Sequence, residues 1–221
     1  MLLECVEQET GPAPAWTVLW LHGLGADGHD FAPIVPELVR PQWPALRFVF
    51  PHAPLRPVTI NGGMRMRACY DIVGMDFANR ADAAGIEESV QQVEALIARE
   101  VERGTPASRI VLAGFSQGGA IALATGLRRQ APLAGLVALS TYLPGGQAVA
   151  AQRHPNAVAQ PVFFAHGDGD PVIAVQHGLA SAQALEQVGF DVAWHRYPMA
   201  HQVCAQEIAD LGDWLQRRLA G

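Results

Sequence analysis

The sequence predicts an α/β protein built on a doubly wound, mostly parallel sheet with helices on both faces. Three observations carry this: short apolar runs without polar alternation, helical stripes between them, and turn residues that separate the two. The runs are Val18 to Leu21, Phe48 to Phe50, Ile110 to Ala113, Leu136 to Leu139 and Val162 to Ala165. A strand covered by helices on both sides needs no polar face, so continuous runs fit the interior of a parallel sheet. The clearest helical stripe is Ile86, Val90, Val93, Ile97 and Val101, which falls on one face and ends before Gly104 and Pro106. Asp191 to Tyr197 reads as the last strand, and a second stripe follows it at Ile208, Leu211, Leu215 and Leu219. Strands alternating with helices require right-handed crossovers and argue against a sandwich or a bundle.

The 221 residues fit one domain spanning 1–221. Half of them are apolar and 16% are charged, enough to bury a core without metals or disulfides. Fifteen basic against twenty-one acidic residues leave a net charge of -6, with no basic cluster to meet a phosphate backbone, so nucleic acid is not an expected partner. Cys5, Cys69 and Cys204 are widely spaced and form no CxxC pair. They suggest neither zinc nor a disulfide framework and fit a reducing, cytoplasmic setting. The start, MLLECVEQET, carries acids before any long apolar stretch, and no segment reaches the roughly 18 apolar residues of a membrane span, so stable membrane insertion is not expected. Residues 52–80 hold two prolines and three glycines without a sustained period, and read as a long irregular excursion beside the sheet.

The sharpest local signal is Gly114-Phe115-Ser116-Gln117-Gly118-Gly119, between the run ending at Ala113 and the helix-compatible Ala120 to Ala124. A strand-to-helix turn strains its serine and exposes the hydroxyl, and glycines on either side let neighbouring backbone approach without a Cβ clash. Such a nucleophile needs a base, expected later in the chain after an acid. His195 lies within the last predicted strand, where its ring would face packing or solvent; His201 lies in the loop just beyond and is the expected base. Asp168 and Asp170 both follow the run Val162 to Ala165, and spacing alone does not separate them. With His166 they could also be imagined as a metal site, but hard cations usually take larger oxygen-rich sets, so no metal is expected. A tetrahedral oxyanion needs two donors. The Gln117 N–H, at the start of the following helix, is one; the glycine-rich loop at His22 to Gly28 is the expected source of the other.

Taken together, LHGLGADGHDF at 21–31, FPHAP at 50–54, VTINGG at 58–63, YDI at 70–72, AGFSQGGAIAL at 113–123, LSTYLP at 139–144, HGDGDPV at 166–172 and YPMAH at 197–201 resemble the small carboxylesterase, lysophospholipase and acyl-protein thioesterase family of the α/β-hydrolase fold. The resemblance implies Ser116 as nucleophile, His201 as general base, and Asp170 as the residue that orients it. It implies oxyanion N–H groups from Leu24 and Gln117, a buttressing role for His22, and an acyl groove lined by the excursion. Gly23, Met66, Cys69 and Tyr70 are then the substrate-binding candidates. Where similar members place a tryptophan before the YD pair, this chain has Cys69, which implies a wider or differently shaped pocket. The segment 141–161 is too short for a large lid, so the expected substrate is a small-molecule or lipid-like carboxylic ester of small to medium acyl chain, cleaved without a cofactor. Thioesters and lysophospholipids are rivals within the same chemistry, and a ligand-binding receptor without turnover is the rival outside it. A homodimer is an expectation of the resemblance alone.

Overall fold

The computed structural model describes residues 2–74 and 82–219. Nine strands occur in it: β1 (Cys5–Glu9), β2 (Trp16–Leu21), β3 (Leu46–Pro51), β4 (Leu55–Val58), β5 (Met64–Arg67), β6 (Ile110–Phe115), β7 (Gly135–Leu139), β8 (Val162–Gly167) and β9 (Val192–Tyr197). Seven form the main sheet in the order β1-β3-β2-β6-β7-β8-β9, and β4 pairs with β5 in a separate hairpin. Within the main sheet, among the described residues, only β1, on the edge, runs antiparallel to its neighbour. All five predicted apolar runs lie in interior strands and are themselves buried throughout.

The reason for the unbroken runs is visible in the core. Leu19, Leu112 and Phe164 face one side of the sheet, while Val18, Trp20, Val111 and Phe163 face the other. The period of two is present, but both faces are dry, so it leaves no polar alternation. The first side is covered by α2 (Ala83–Glu102), α3 (Gln117–Gly126) and α5 (Val175–Gln187), the second by α1 (Val35–Leu38) and α6 (Ala205–Leu219), with the short α4 (Gly146–Ala151) packed on α5. Asp82 caps α2, its Oδ1 accepting from Gly85 N–H at 2.9 Å. The stripe Ile86, Val90, Val93 and Ile97 is buried, but Val101 is exposed. In α6, Leu211, Trp214 and Leu215 are buried, with Arg217 and Arg218 in the last turn, where cations suit the helix dipole.

Strand order places the chemistry. From β2 the chain steps outward to β3, whereas from β6 it steps the other way through β7, β8 and β9. The order therefore reverses between β2 and β6, and at such a switch point the loops leaving the two carboxyl ends diverge and open a crevice. One loop is the glycine-rich segment after β2; the other is the serine turn after β6. Among the described residues, no large lid covers this edge. The excursion at 52–80 differs from the irregular segment expected: part of it is the β4–β5 hairpin, turned through Asn61 and two glycines at positive φ, Gly62 and Gly63. Residues 75–80 of it lie outside the described residues. Among the described residues, no helix is long and apolar enough to cross a membrane.

Candidate active site

Ser116, between β6 and α3, has φ 53° and ψ -120°, a strained conformation for a residue with a side chain. Close packing explains how it persists. A Cβ on Gly114 would lie 2.3 Å from the Gly118 carbonyl oxygen, and one on Gly118 would lie 2.5 Å from that of Leu21. Glycine is therefore required where the turn closes on itself and on β2. The Thr141 hydroxyl donates to the Ser116 carbonyl at 2.6 Å, and Ser116 N–H donates to Leu139 at 2.9 Å, pinning the turn from both sides.

The three distant side chains meet over this turn. His201 Nε2 lies 2.9 Å from Ser116 Oγ, and His201 Nδ1 lies 2.6 Å from Asp170 Oδ2. A carboxylate only accepts, so Nδ1 carries the proton and the Nε2 lone pair faces the serine hydroxyl. The other carboxylate oxygen, Asp170 Oδ1, accepts from Val172 N–H at 2.8 Å and Ile173 N–H at 2.9 Å, which fixes its orientation. Asp168, two residues earlier, instead pairs with Arg196 at the surface at 2.6 Å. His195, in β9, stacks on Phe163 of β8 and is not the imidazole bonded to Ser116. His166 is fully buried behind Asp170: its Nε2–H points at the Ile173 carbonyl, 2.7 Å away, with Asp170 Oδ2 at 3.4 Å. Burial lowers its pKa and so favours the neutral ring.

Both expected oxyanion donors border one cleft with Ser116 and His201. Leu24 and Gln117 line it, as do Gly23 and Tyr70, and its volume is about 380 Å³. Gln117 opens α3, where an N–H has no partner within the helix. Its side chain does something the sequence did not suggest: Oε1 accepts from Cys69 N–H and Nε2 donates to the Tyr70 carbonyl, both at 2.8 Å, clamping the excursion to the serine turn. Gly25 N–H donates to Arg67 at 2.9 Å, tying the hairpin to the glycine-rich loop as well. His22 holds that loop from below. Its Nδ1–H donates to Gly23 at 2.7 Å and its Nε2 accepts from Ala53 N–H at 3.0 Å, a neutral pattern reinforced by burial, which lowers its pKa.

Two substrate-binding expectations need correction. Cys69 does not line the cleft; successive residues point to opposite sides, and with Tyr70 turned inward, Cys69 faces a small apolar cavity beside Leu21, Val93 and Ile121. Burial pushes its thiol up to about 12, which makes it inert at neutral pH. Met66 also stays outside the cleft, its sulfur accepting from Asn61 Nδ2 at 3.2 Å within the hairpin. The walls are instead completed by Ile72, Tyr142, Val172 and Ile173, with Tyr142 and Tyr70 joined hydroxyl to hydroxyl at 2.7 Å. Sequence reasoning did not find Tyr142 or Ile173, although both fall in the quoted LSTYLP and post-HGDGDPV stretches. Asp27, His29 and His52 bring ligand-type atoms within 4.8 Å of one another. Asp27 Oδ1 and His52 Nδ1 already accept backbone N–H groups there, from His29 and Gly28.

Fold and site together define a serine hydrolase on the α/β-hydrolase scaffold. A family model described as Phospholipase/Carboxylesterase matches residues 3–219, and the chain belongs to that family. Acyl-protein thioesterase 1 of Mycosarcoma maydis is 39% identical, over 96% of this chain and 95% of its own. The acyl-protein thioesterase 1 of Yarrowia lipolytica is 40% identical over 92% of each. Among solved structures, Arabidopsis thaliana SOBER1 superimposes with a TM-score of 0.87 at 30% identity, covering 92% of this chain and 99% of that one. Zea mays acyl-protein thioesterase 2 does so with 0.80 at 27% identity, covering 97% and 99%. The receptor alternative loses its footing in a family of hydrolases.

Proposed function

We propose that this hydrolase is a carboxylesterase that cleaves esters of small to medium acyl chain through an acyl-enzyme intermediate. The observation that carries the reading is the unbroken hydrogen-bond chain from Asp170 through His201 to a strained serine hydroxyl at the wall of an apolar cleft. Ser116 Oγ attacks the ester carbonyl while His201 Nε2 takes its proton. The oxyanion forms toward the Leu24 and Gln117 N–H groups, and Asp170 supports the imidazolium as it appears. Nε2 then returns the proton to the leaving oxygen, and water activated by the same nitrogen releases the acid. The cleft volume of about 380 Å³ is near the lower end for small-molecule sites, which favours short and medium acyl chains.

Thioester cleavage is the second reading, favoured by thioesterase relatives at about 40% identity over nearly the whole chain. Matched acyl series on oxyester and thioester leaving groups separate the two. The first reading expects kcat/KM to peak at short or medium oxyesters, and a strong preference for long thioesters would replace it with the second. The free thiols Cys5, Cys69 and Cys204 support a reducing, cytoplasmic location in either case.

A further inference from the structure

A second cleft, of about 500 Å³, also borders His201. It shares Asp30, Phe115 and His201 with the first cleft but is not lined by Ser116, Leu24 or Gln117. The general acid of an acyl transfer must sit within hydrogen-bond reach of the departing heteroatom. In the proposed mechanism that acid is His201 Nε2–H, so the acyl half lies with the oxyanion donors in the first cleft and the departing half leaves across the imidazole. The second cleft borders that same imidazole.

Its walls have a definite chemistry. Phe31 and Phe115 give aromatic surface, Ile34 and Ile208 give aliphatic surface, and the carboxylates of Asp30 and Glu37 border it. Both acids are exposed, and no arginine lines the cleft to neutralise them. The chain contains no lysine at all. Aromatic faces beside uncompensated carboxylates attract an organic cation and repel an anion. We infer that this second cleft is a leaving-group subsite selective for alcohols or thiols that carry a positive charge a few bonds from the reacting heteroatom. The inference rests on the proposed triad and adds to it the charge of the substrate's other half. The balance of the step is unchanged: the Ser116 Oγ–acyl bond forms, the acyl–heteroatom bond breaks, and the serine proton passes through His201 to the cationic leaving group.

The test uses S-butyryl thioesters with one acyl chain and two leaving groups, thiocholine and 3-mercaptopropionate. The readout is the ratio of their kcat/KM values in wild type divided by that ratio in Asp30→Asn/Glu37→Gln, which cancels the thiols' different intrinsic reactivity. Both positions are exposed, so neither substitution disturbs the core. At low ionic strength the neutralised variant should lose the cation preference by roughly 3- to 10-fold, and the effect should shrink with salt. Glu37→Arg should push the ratio further toward the anionic ester. Glu102→Gln, at the opposite end of the molecule on the last turn of α2, should leave the ratio alone. An unchanged ratio in both cleft variants, with 4-nitrophenyl butyrate still turned over through Ser116, would overturn the subsite and leave the triad standing. Turnover that survives Ser116→Ala would remove the triad and the subsite together.

Discussion

The two edges of the sheet treat buried charge in opposite ways. At the amino edge, Glu100 is fully buried and saturated: Thr17 and Arg47 donate to one oxygen at 3.1 Å, while Arg99 and Arg103 donate to the other. Burial alone would raise its pKa, but Arg47, Arg103 and Arg99 outweigh it and hold the carboxyl below its ordinary value. At the carboxyl edge, Asp170 is also buried and bonded, yet its chain of contacts does not close on itself. It runs through His201 and ends on a hydroxyl that borders a cleft. A closed network of charges stabilises a fold, whereas an open one that terminates at a reactive atom can move a proton. Removing members from each edge should therefore have separable effects.

The largest belongs to the open chain. Ser116→Ala should lower kcat for 4-nitrophenyl butyrate by at least about 10,000-fold with the unfolding midpoint nearly unchanged. Turnover by a contamination-controlled preparation of the variant would break the contrast. Asp170→Asn should cost about 1,000- to 10,000-fold, because the amide no longer enforces the Nδ1–H tautomer of His201. At the closed edge, Glu100→Ala leaves Arg47 without its buried partner and should lower unfolding free energy by about 3 to 5 kcal/mol in urea titrations. Its kcat per folded molecule should stay within about twofold of wild type, and a catalytic collapse there would erase the distinction between the edges.

Glu207 sharpens the comparison, being a buried carboxyl on α6 that pairs with no cation among the described residues. Burial pushes its pKa up to about 8, with the Cys204 N–H offsetting a little. The folded state therefore binds its proton more tightly than the unfolded state, whose value is about 4.3. Its contribution is fully present below about pH 4 and is lost as pH rises to about 8, by at most about 1.4 kcal/mol per unit. Glu207→Gln should match wild type near pH 4 and exceed it in stability at pH 9. Parallel stability curves for the two proteins would contradict the burial-raised pKa of this group.

What the sequence reveals follows what is buried. The interior strands were legible because both faces are dry, whereas β1 was not, since Glu7 and Glu9 give it the look of a polar leader until β3 supplies its partner. The β4–β5 hairpin has no core to pattern it, and Leu55 and Met64 stand exposed, so its residues show no period. Ser116 and His201 were readable from turn chemistry and chain order. Asp170 separated from Asp168 only through the resemblance, because what distinguishes them is the Val172 and Ile173 N–H pair, a feature of backbone direction. Cys69 against Tyr70 is a choice between neighbouring faces that no spacing encodes. The second cleft is assembled from two segments far apart along the chain, one holding Asp30 and Glu37 and the other His201 and Ile208.

The central claim is that His201 makes the Ser116 hydroxyl nucleophilic. Fluorophosphonate labelling followed by adduct mapping, on wild type and His201→Ala, tests it most directly. The expected result is one adduct at Ser116 in wild type and a labelling rate lowered by orders of magnitude in the variant. Labelling at another residue, or equal rates in the two proteins, would contradict it.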